Sequence, residues 1–354
     1  MTLHNIFITN LLILNLLNTS CSQESNKLYF SKFQNTVYLK GDQINLKYKI
    51  KGCLPNCYDS LLILTSAQGY NKQVIIYSLK DFKYVASTIT PGRGPDEISF
   101  PGHIIINKNR GLIWCQDFGR KILWKFDLDS IINKDKYFPN YKINTPDILA
   151  IMQLDLYNDS IFSFNSNNPS YFVSFFNENG NIIDTLNVPS QACIYNNEQL
   201  SPETKTLMAY YIYTINPKTG RIAIIYMFSD IIQIIDSRGN LLKELHGPGT
   251  TDQIPEYANS QQIITNSLVY SDKNYIYCLY RNRRRWDEVT GMIPQFGKEI
   301  NVYSWDGKPI LKIILDHSVM AFTIDNKNKR IITFSPEIDE LLSYKFNIDE
   351  IINN

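Results

Sequence analysis

Arg281, Arg283, Arg284, Arg285 and Trp286 form the densest cationic stretch of this sequence. Guanidinium forks match carboxylate and phosphate geometry, and an indole adds a flat apolar surface, so the group fits recognition of phosphate, an acidic glycan or a partner's acidic face. A second concentration is Thr90-Pro91-Gly92-Arg93-Gly94-Pro95-Asp96-Glu97. Its glycines can expose backbone N–H groups while Arg93 supplies further donors, which is anion-binding chemistry. The structural alternative is a tight connection whose glycines permit the turn while Arg93 and Glu97 pair. No Lys-Ser/Thr follows the glycines, so this is not a nucleotide loop. Asp117 with Arg120 makes a third candidate: an ion pair tying two elements together, or a catalytic carboxylate if a second carboxylate or a metal stands beside it. His246-Gly247-Pro248-Gly249 has the composition of another architectural turn.

Several chemistries are missing. No G-x-S-x-G elbow occurs, no Cys/His spacing suits zinc, and no EF-hand loop is present. His103 and His317 stand alone. No cofactor is expected; Ca2+ held in a central channel by residues scattered through the chain remains conceivable, with no motif to support it. Over 354 residues, 35 Lys and Arg balance 34 Asp and Glu for a net charge of +1. Such a balance lacks the basic footprint of a nucleic-acid binder.

The amino terminus carries a different chemistry. Ile6 to Leu17 is too short to span a bilayer and suits a signal-peptide core. It ends in Leu17-Asn18-Thr19-Ser20-Cys21, small residues before a cysteine that is the expected acylation site. Position 18 is Asn rather than aliphatic, and the leading segment has His4 but no Lys or Arg. Among the later cysteines, Cys53 and Cys57 sit in a Pro-containing stretch read as a loop and could pair under oxidising conditions. Cys115, Cys193 and Cys278 read as buried apolar residues.

These groups must be positioned by strands. The 23 Tyr, 18 Phe and 4 Trp, in a chain that is 44% hydrophobic, favour sheet over helix. One unit recurs, an apolar run closed by a turn with Asp, Asn or Gly: Val74 to Tyr77, Ile122 to Phe126, Tyr171 to Phe176, Ile231 to Ile235, Ile300 to Trp305 and Leu341 to Phe346. A strand precedes each marker and most are followed by an outer one. Six markers predict an all-β, six-bladed β-propeller of four-stranded antiparallel blades, its ring closed by an amino-terminal strand near Thr36 to Lys40. The expected organisation is a signal peptide over 1–20, a tether over 21–35 and one propeller over 36–350. Glu198 to Tyr210 is the one helix candidate of note.

The loop around Arg93, then Asp117-Phe118-Gly119-Arg120-Lys121-Ile122, Ile276 to Tyr280, Ile300 to Gly307 and Ala321 to Asp325 follow one another in an order that resembles the TolB-like six-bladed propeller family of Bacteroidota-type lipoproteins. Asp96 stands where that family has a third glycine, and Ile98 where it has an aromatic. The resemblance implies the fold and an envelope location, lipid-anchored at the outer membrane, more than an activity. Function is expected to be that of a binding or scaffold module for a protein or glycan, with no nucleic acid and with membrane contact through the lipid alone. The alternative is a metal-dependent, lactonase-like hydrolase or lyase working from the channel.

Overall fold

A computed structural model describes residues 26–48, 50–68, 71–146, 151–166, 173–186, 210–248, 263–284 and 296–353. Its strands form six small sheets. Blade 1 holds β4 (Gly52–Tyr58), β5 (Leu61–Gln68), β6 (Val74–Ser78) and β7 (Tyr84–Thr88). Blade 2 holds β8 (Pro101–Asn107), β9 (Leu112–Asp117), β10 (Ile122–Asp127) and β11 (Lys142–Asn144). Blade 3 holds β12 (Ile151–Leu156), β13 (Ile161–Ser166), β14 (Val173–Asn177) and β15 (Ile182–Leu186). Blade 4 follows with β16 (Tyr211–Ile215), β17 (Ile222–Tyr226), β18 (Ile231–Ile235) and β19 (Leu241–His246). Blade 5 is β20 (Ile263–Ser271), β21 (Tyr275–Arg284), β22 (Gly297–Ser304) and β23 (Pro309–Val319). Blade 6 begins with β24 (Ala321–Asp325), β25 (Arg330–Ser335) and β26 (Glu340–Lys345).

The six markers are the third strands of the six blades. Blades stack face to face, so both faces of a middle strand are covered and its residues read as an unbroken apolar run rather than an alternating one. Ile222 to Tyr226 is buried at every position. Each of the six contacts between blades has its own apolar cluster. Between blades 1 and 2, for instance, Ile63, Val74 and Ile76 meet Ile113, Cys115 and Trp124. The abundant Asn and Asp residues cap the turns: Asn107, Asn158, Asn216, Asp272, Asn177 and Asp236 each accept two backbone N–H groups through one side-chain oxygen. Asp127 instead caps a six-residue helix, α1 (Leu128–Asn133), accepting from the Ser130 N–H at 2.7 Å. The helix candidate over 198–210 lies, but for Tyr210, outside the described residues, as do the signal segment, Cys21 and Cys193.

Before the first blade begins, the chain runs around the outside of the last three. β1 (Lys27–Tyr29) lies parallel to β19 as a fifth strand of blade 4. β2 (Asn35–Leu39) lies parallel to β23 as a fifth strand of blade 5. β3 (Gly41–Ile44) pairs antiparallel with β26 and completes blade 6. The ring is thus closed by an amino-terminal strand, but the closing residues are 41–44, not 36–40. Val37 and Leu39 pack on the cluster between blades 5 and 6 and hold β2 against blade 5. Gly41 suits the closing strand because a Cβ there would stand 2.8 Å from the Tyr344 ring. Within the stretch expected as a tether, Lys27–Tyr29 pairs with blade 4 and Phe33 is buried.

The reading of Cys53 and Cys57 as a looped pair is overturned. Both lie in β4, where four residues of strand put their Cα atoms about 13 Å apart, against a disulfide limit of roughly 7 Å. Their thiols are free. Pro55 is tolerated because β4 is the inner edge strand of blade 1, bonded on one side only, to β5.

Candidate functional site

In each blade the turns joining strands 1 to 2 and 3 to 4 lie on one face of the disc, the turn face. The connections joining strands 2 to 3 and one blade to the next lie on the other, the loop face. The residues around Arg93 link β7 to β8 and those around Arg120 link β9 to β10, so both belong to the loop face.

There the structural reading of the glycine loop holds in a modified form. Glu97 does not pair with Arg93; its Oε2 accepts the Gly94 N–H at 2.7 Å, closing the loop on itself. A Cβ on Gly92 would fall 1.9 Å from that same oxygen, which explains the glycine. Asp117, fully buried at the end of β9, accepts the Ser99 hydroxyl at 2.8 Å, the Ser99 N–H at 3.3 Å and the Gly119 N–H at 3.1 Å. Arg120 lies 3.7 Å from Asp117 and donates to the Glu97 carbonyl at 3.5 Å. Asp117 therefore fastens the blade 1 to blade 2 connection, and its carboxylate points into that connection, not the channel. Ile98, in place of the family's aromatic, is buried. At the next such corner, Gly247 donates to the Asp230 carbonyl at 2.8 Å, and a Cβ on it would stand 2.2 Å from the Asp230 carboxylate, the architectural use read from sequence.

This bracing holds two aromatic side chains that sequence reasoning missed. Phe100 is 65% exposed and Phe118 40%, with ring centroids 6.1 Å apart. Phe118 lies over Gly102, where a Cβ would be 2.2 Å from its ring. Arg93, on the same loop, is exposed and has no partner among the described residues. The signal was present in sequence as two phenylalanines, each at the junction of a strand with a polar turn. Of the arginine stretch, Arg283 and Arg284 end β21, paired through their backbones with Ile264 and Ile263; Arg285 and Trp286 lie outside the described residues. Arg281 is half-buried, and burial pushes its guanidinium down to about 10.

On the turn face, first strands of neighbouring blades lie side by side around the channel. Lys108, just past β8 of blade 2, reaches Tyr270 on β20 of blade 5, the opposite blade, with its ammonium 5.4 Å from the ring centroid. Lys108 thus bridges the channel mouth. Lys108 is exposed as a residue, but the surrounding channel walls desolvate its ammonium and lower its pKa, an effect partly offset by Cys57 and Asp155. Asp155, on β12, is raised from 3.8 to about 6 by burial, against the pull of the Leu156 N–H and Lys108. Asp325 is bound by Arg330 and Asn328, each at 2.8 Å. Burial and the neighbouring Asp325 push the Cys57 thiol up to about 12, leaving it unreactive at neutral pH. The hydrolase alternative needs carboxylates converging on the axis; among the described residues Asp155 stands at the channel mouth, and Asp325 is held by Arg330 and Asn328. Among the described residues no three of His, Cys, Asp and Glu gather in a group that could hold a metal ion. His103 is half-buried, its Nε2 3.4 Å from the Ile151 carbonyl, and burial lowers its pKa.

Asp155 carries a testable pH dependence. Its folded pKa lies above the unfolded value, so the native state tolerates the protonated form better than the charged one. Stability should therefore fall as pH rises from about 4 to about 6, by at most about 3 kcal/mol. Asp155→Asn is expected to abolish that fall and to raise the melting temperature above pH 6. Parallel pH–stability curves for the two proteins would contradict this.

Comparison with known proteins agrees with this architecture. Among curated proteins no match is found. Of solved structures, an exported protein of Bacteroides fragilis superposes with a TM-score of 0.56 at 12% identity, covering 91% of this chain and 99% of its own. A DUF4221-family protein of Bacteroides vulgatus gives 0.53 at 8%, covering 87% and 98%. At such identities the likeness concerns the fold. Residues 30–327 match the profile described as TolB-like 6-blade propeller-like. With six blades in a closed ring and that match spanning most of its length, the chain belongs to the TolB-like six-bladed propeller family.

Proposed function

We propose that this protein is an exported binding propeller, held at the outer membrane by a lipid on Cys21, that engages a protein or glycan through its loop face. The observation that carries the reading is the exposed Phe100–Phe118 pair, on the two loop-face connections that also carry Arg93 and Arg120. Exposed aromatics next to arginines, on a surface already rigid before contact, are the composition of binding hot spots. Arg283 and Arg284, at the loop-face end of β21, belong to the same reading, with Arg285 and Trp286 next to them in sequence. Export is in keeping with the B. fragilis protein, which is described as exported. Among the described residues no helix is long and apolar enough to cross a membrane, so a lipid on Cys21 would supply the attachment.

Phe100→Ala with Phe118→Ala should weaken partner capture about tenfold or more while leaving the melting temperature nearly unchanged. Alanine at Arg283, Arg284, Arg285 and Trp286 should act in the same direction. Undiminished capture by both variants, measured on envelope proteins and glycans crosslinked to the intact protein, would remove the loop face from the reading. The tether is tested separately: fatty-acid labelling should vanish in Cys21→Ser.

A further inference from the structure

The turn face carries a cavity that the loop-face reading leaves unused. It measures about 560 Å³, within the range of small-molecule sites, and opens over the channel mouth. Lys108 lies in its lining, and the cavity is walled by residues of blades 4, 5 and 6 as well as blade 2. Tyr270, Tyr275 and Phe346 supply apolar wall.

The polar groups of this cavity are unequally satisfied. Asp272 is engaged: one oxygen accepts the Asn274 and Tyr275 N–H groups at 2.7 and 2.9 Å, the other the Tyr277 hydroxyl at 3.4 Å. Lys329 pairs with Glu350 at 3.3 Å. What stays open is mostly donor. The ammonium groups of Lys108 and Lys273 make no salt bridge, and the side-chain amides of Asn274 and Asn326 have no partner, among the described residues. Asp349, exposed at the start of α2 (Ile348–Asn353), is the remaining free carboxylate.

We propose that this cavity binds a small anionic ligand of monosaccharide size, a carboxylate or phosphate on a polar ring, with the anion seated on Lys108. Lys108 and Lys273 supply opposing charge, Asn274 and Asn326 hydrogen bonds to ring hydroxyls, and Tyr270 and Phe346 a surface for the ring's apolar face.

The test is thermal unfolding of the purified protein with glucuronate, glucose 6-phosphate, glucose and inorganic phosphate. Saturable stabilisation by glucuronate or glucose 6-phosphate, and little by glucose, is expected. Lys108→Met should weaken the apparent affinity about tenfold or more. Should that variant fail to fold, Lys273→Gln, on an exposed turn, should weaken it about threefold or more. Equal stabilisation by glucose, stabilisation by none of the four, full reproduction of the effect by inorganic phosphate, or unchanged affinity in the substituted proteins would each overturn the proposal. The loop-face variants Phe100→Ala and Phe118→Ala should retain this response, so the two surfaces stand or fall separately.

Discussion

A chain beginning at Lys47, and so lacking β1, β2 and β3, is expected to lose its single cooperative thermal transition and to aggregate. The deletion removes the outermost strand of blade 6, whose register runs from Gly41 opposite Tyr344 to Ile44 opposite Leu341. Ile44 is 3% exposed and packs in the cluster between blades 6 and 1 with Phe334 and Leu341. Burial of a side chain of this size contributes about 2 kcal/mol, and the partly buried Val37 and Leu39 add smaller amounts on the next interface. The sum is a large part of a typical stability of about 5–15 kcal/mol. The deletion also leaves β26 as an open edge, a template for pairing with other chains. A shorter deletion ending at Gln34 removes the extra strand on blade 4 and, with it, Phe30 and Phe33 from the cluster between blades 4 and 5, but keeps the strand that closes the ring, and should lower the melting temperature without abolishing cooperativity. Calorimetry on the two truncated chains decides the matter: a sharp transition in the longer deletion, near that of the intact protein, would show that the ring does not depend on its amino-terminal strand.

Asp117→Ala is expected to cost about 3 kcal/mol of stability and, with it, capture through the loop face. The substitution strands the Ser99 hydroxyl, the Ser99 N–H and the Gly119 N–H, three donors that converge on the fully buried Asp117 carboxylate. It also removes the anion beside Arg120. Asp117→Asn should be intermediate, because an amide can accept from the Ser99 hydroxyl and Gly119 but turns its own donors toward the Ser99 N–H and Arg120. Phe100 and Phe118 sit one residue beyond Ser99 and Asp117 respectively, so loosening these bonds frees both rings. Denaturant unfolding with partner capture on the same proteins tests the link. Loss of stability with intact capture would separate the brace from the surface, and an alanine variant as stable as the native protein would refute the brace.

Much of the fold was legible because the physics that makes a propeller is local and repeated. A middle strand buried on both faces must be continuously apolar, and the turn that ends it wants Asp, Asn or Gly, so the runs at 74–77, 122–126, 231–235 and 341–346 announced the blades. The amino-terminal path was not legible. A short run such as Asn35–Leu39 fits the rim of any blade, and what assigned it to blade 5 was the fit of Val37 and Leu39 to a cluster drawn from strands nearly 280 residues away. The Arg93 loop was recognisable as a connection, but its Glu97 partner was misread because the choice between Arg93 and the Gly94 N–H depends on backbone geometry. The channel mouth had no sequence signal at all. Lys108, Asp155 and Tyr270 come from three different blades, and only closure of the ring brings them together.

The outer path of residues 27–44 also sets the order in which this protein can be completed. Asn26 is bonded to Leu241, 215 positions later, and Gly41 to Asp316, 275 positions later. The segment synthesised first therefore has no partner until the segments synthesised last exist. Until blades 4 to 6 have formed, this clasp stays open, and no ring assembled early can lock. Closure falls to the moment when residues 27–44 and the last three blades are all present, which makes the locked propeller a record that its final blades have been made.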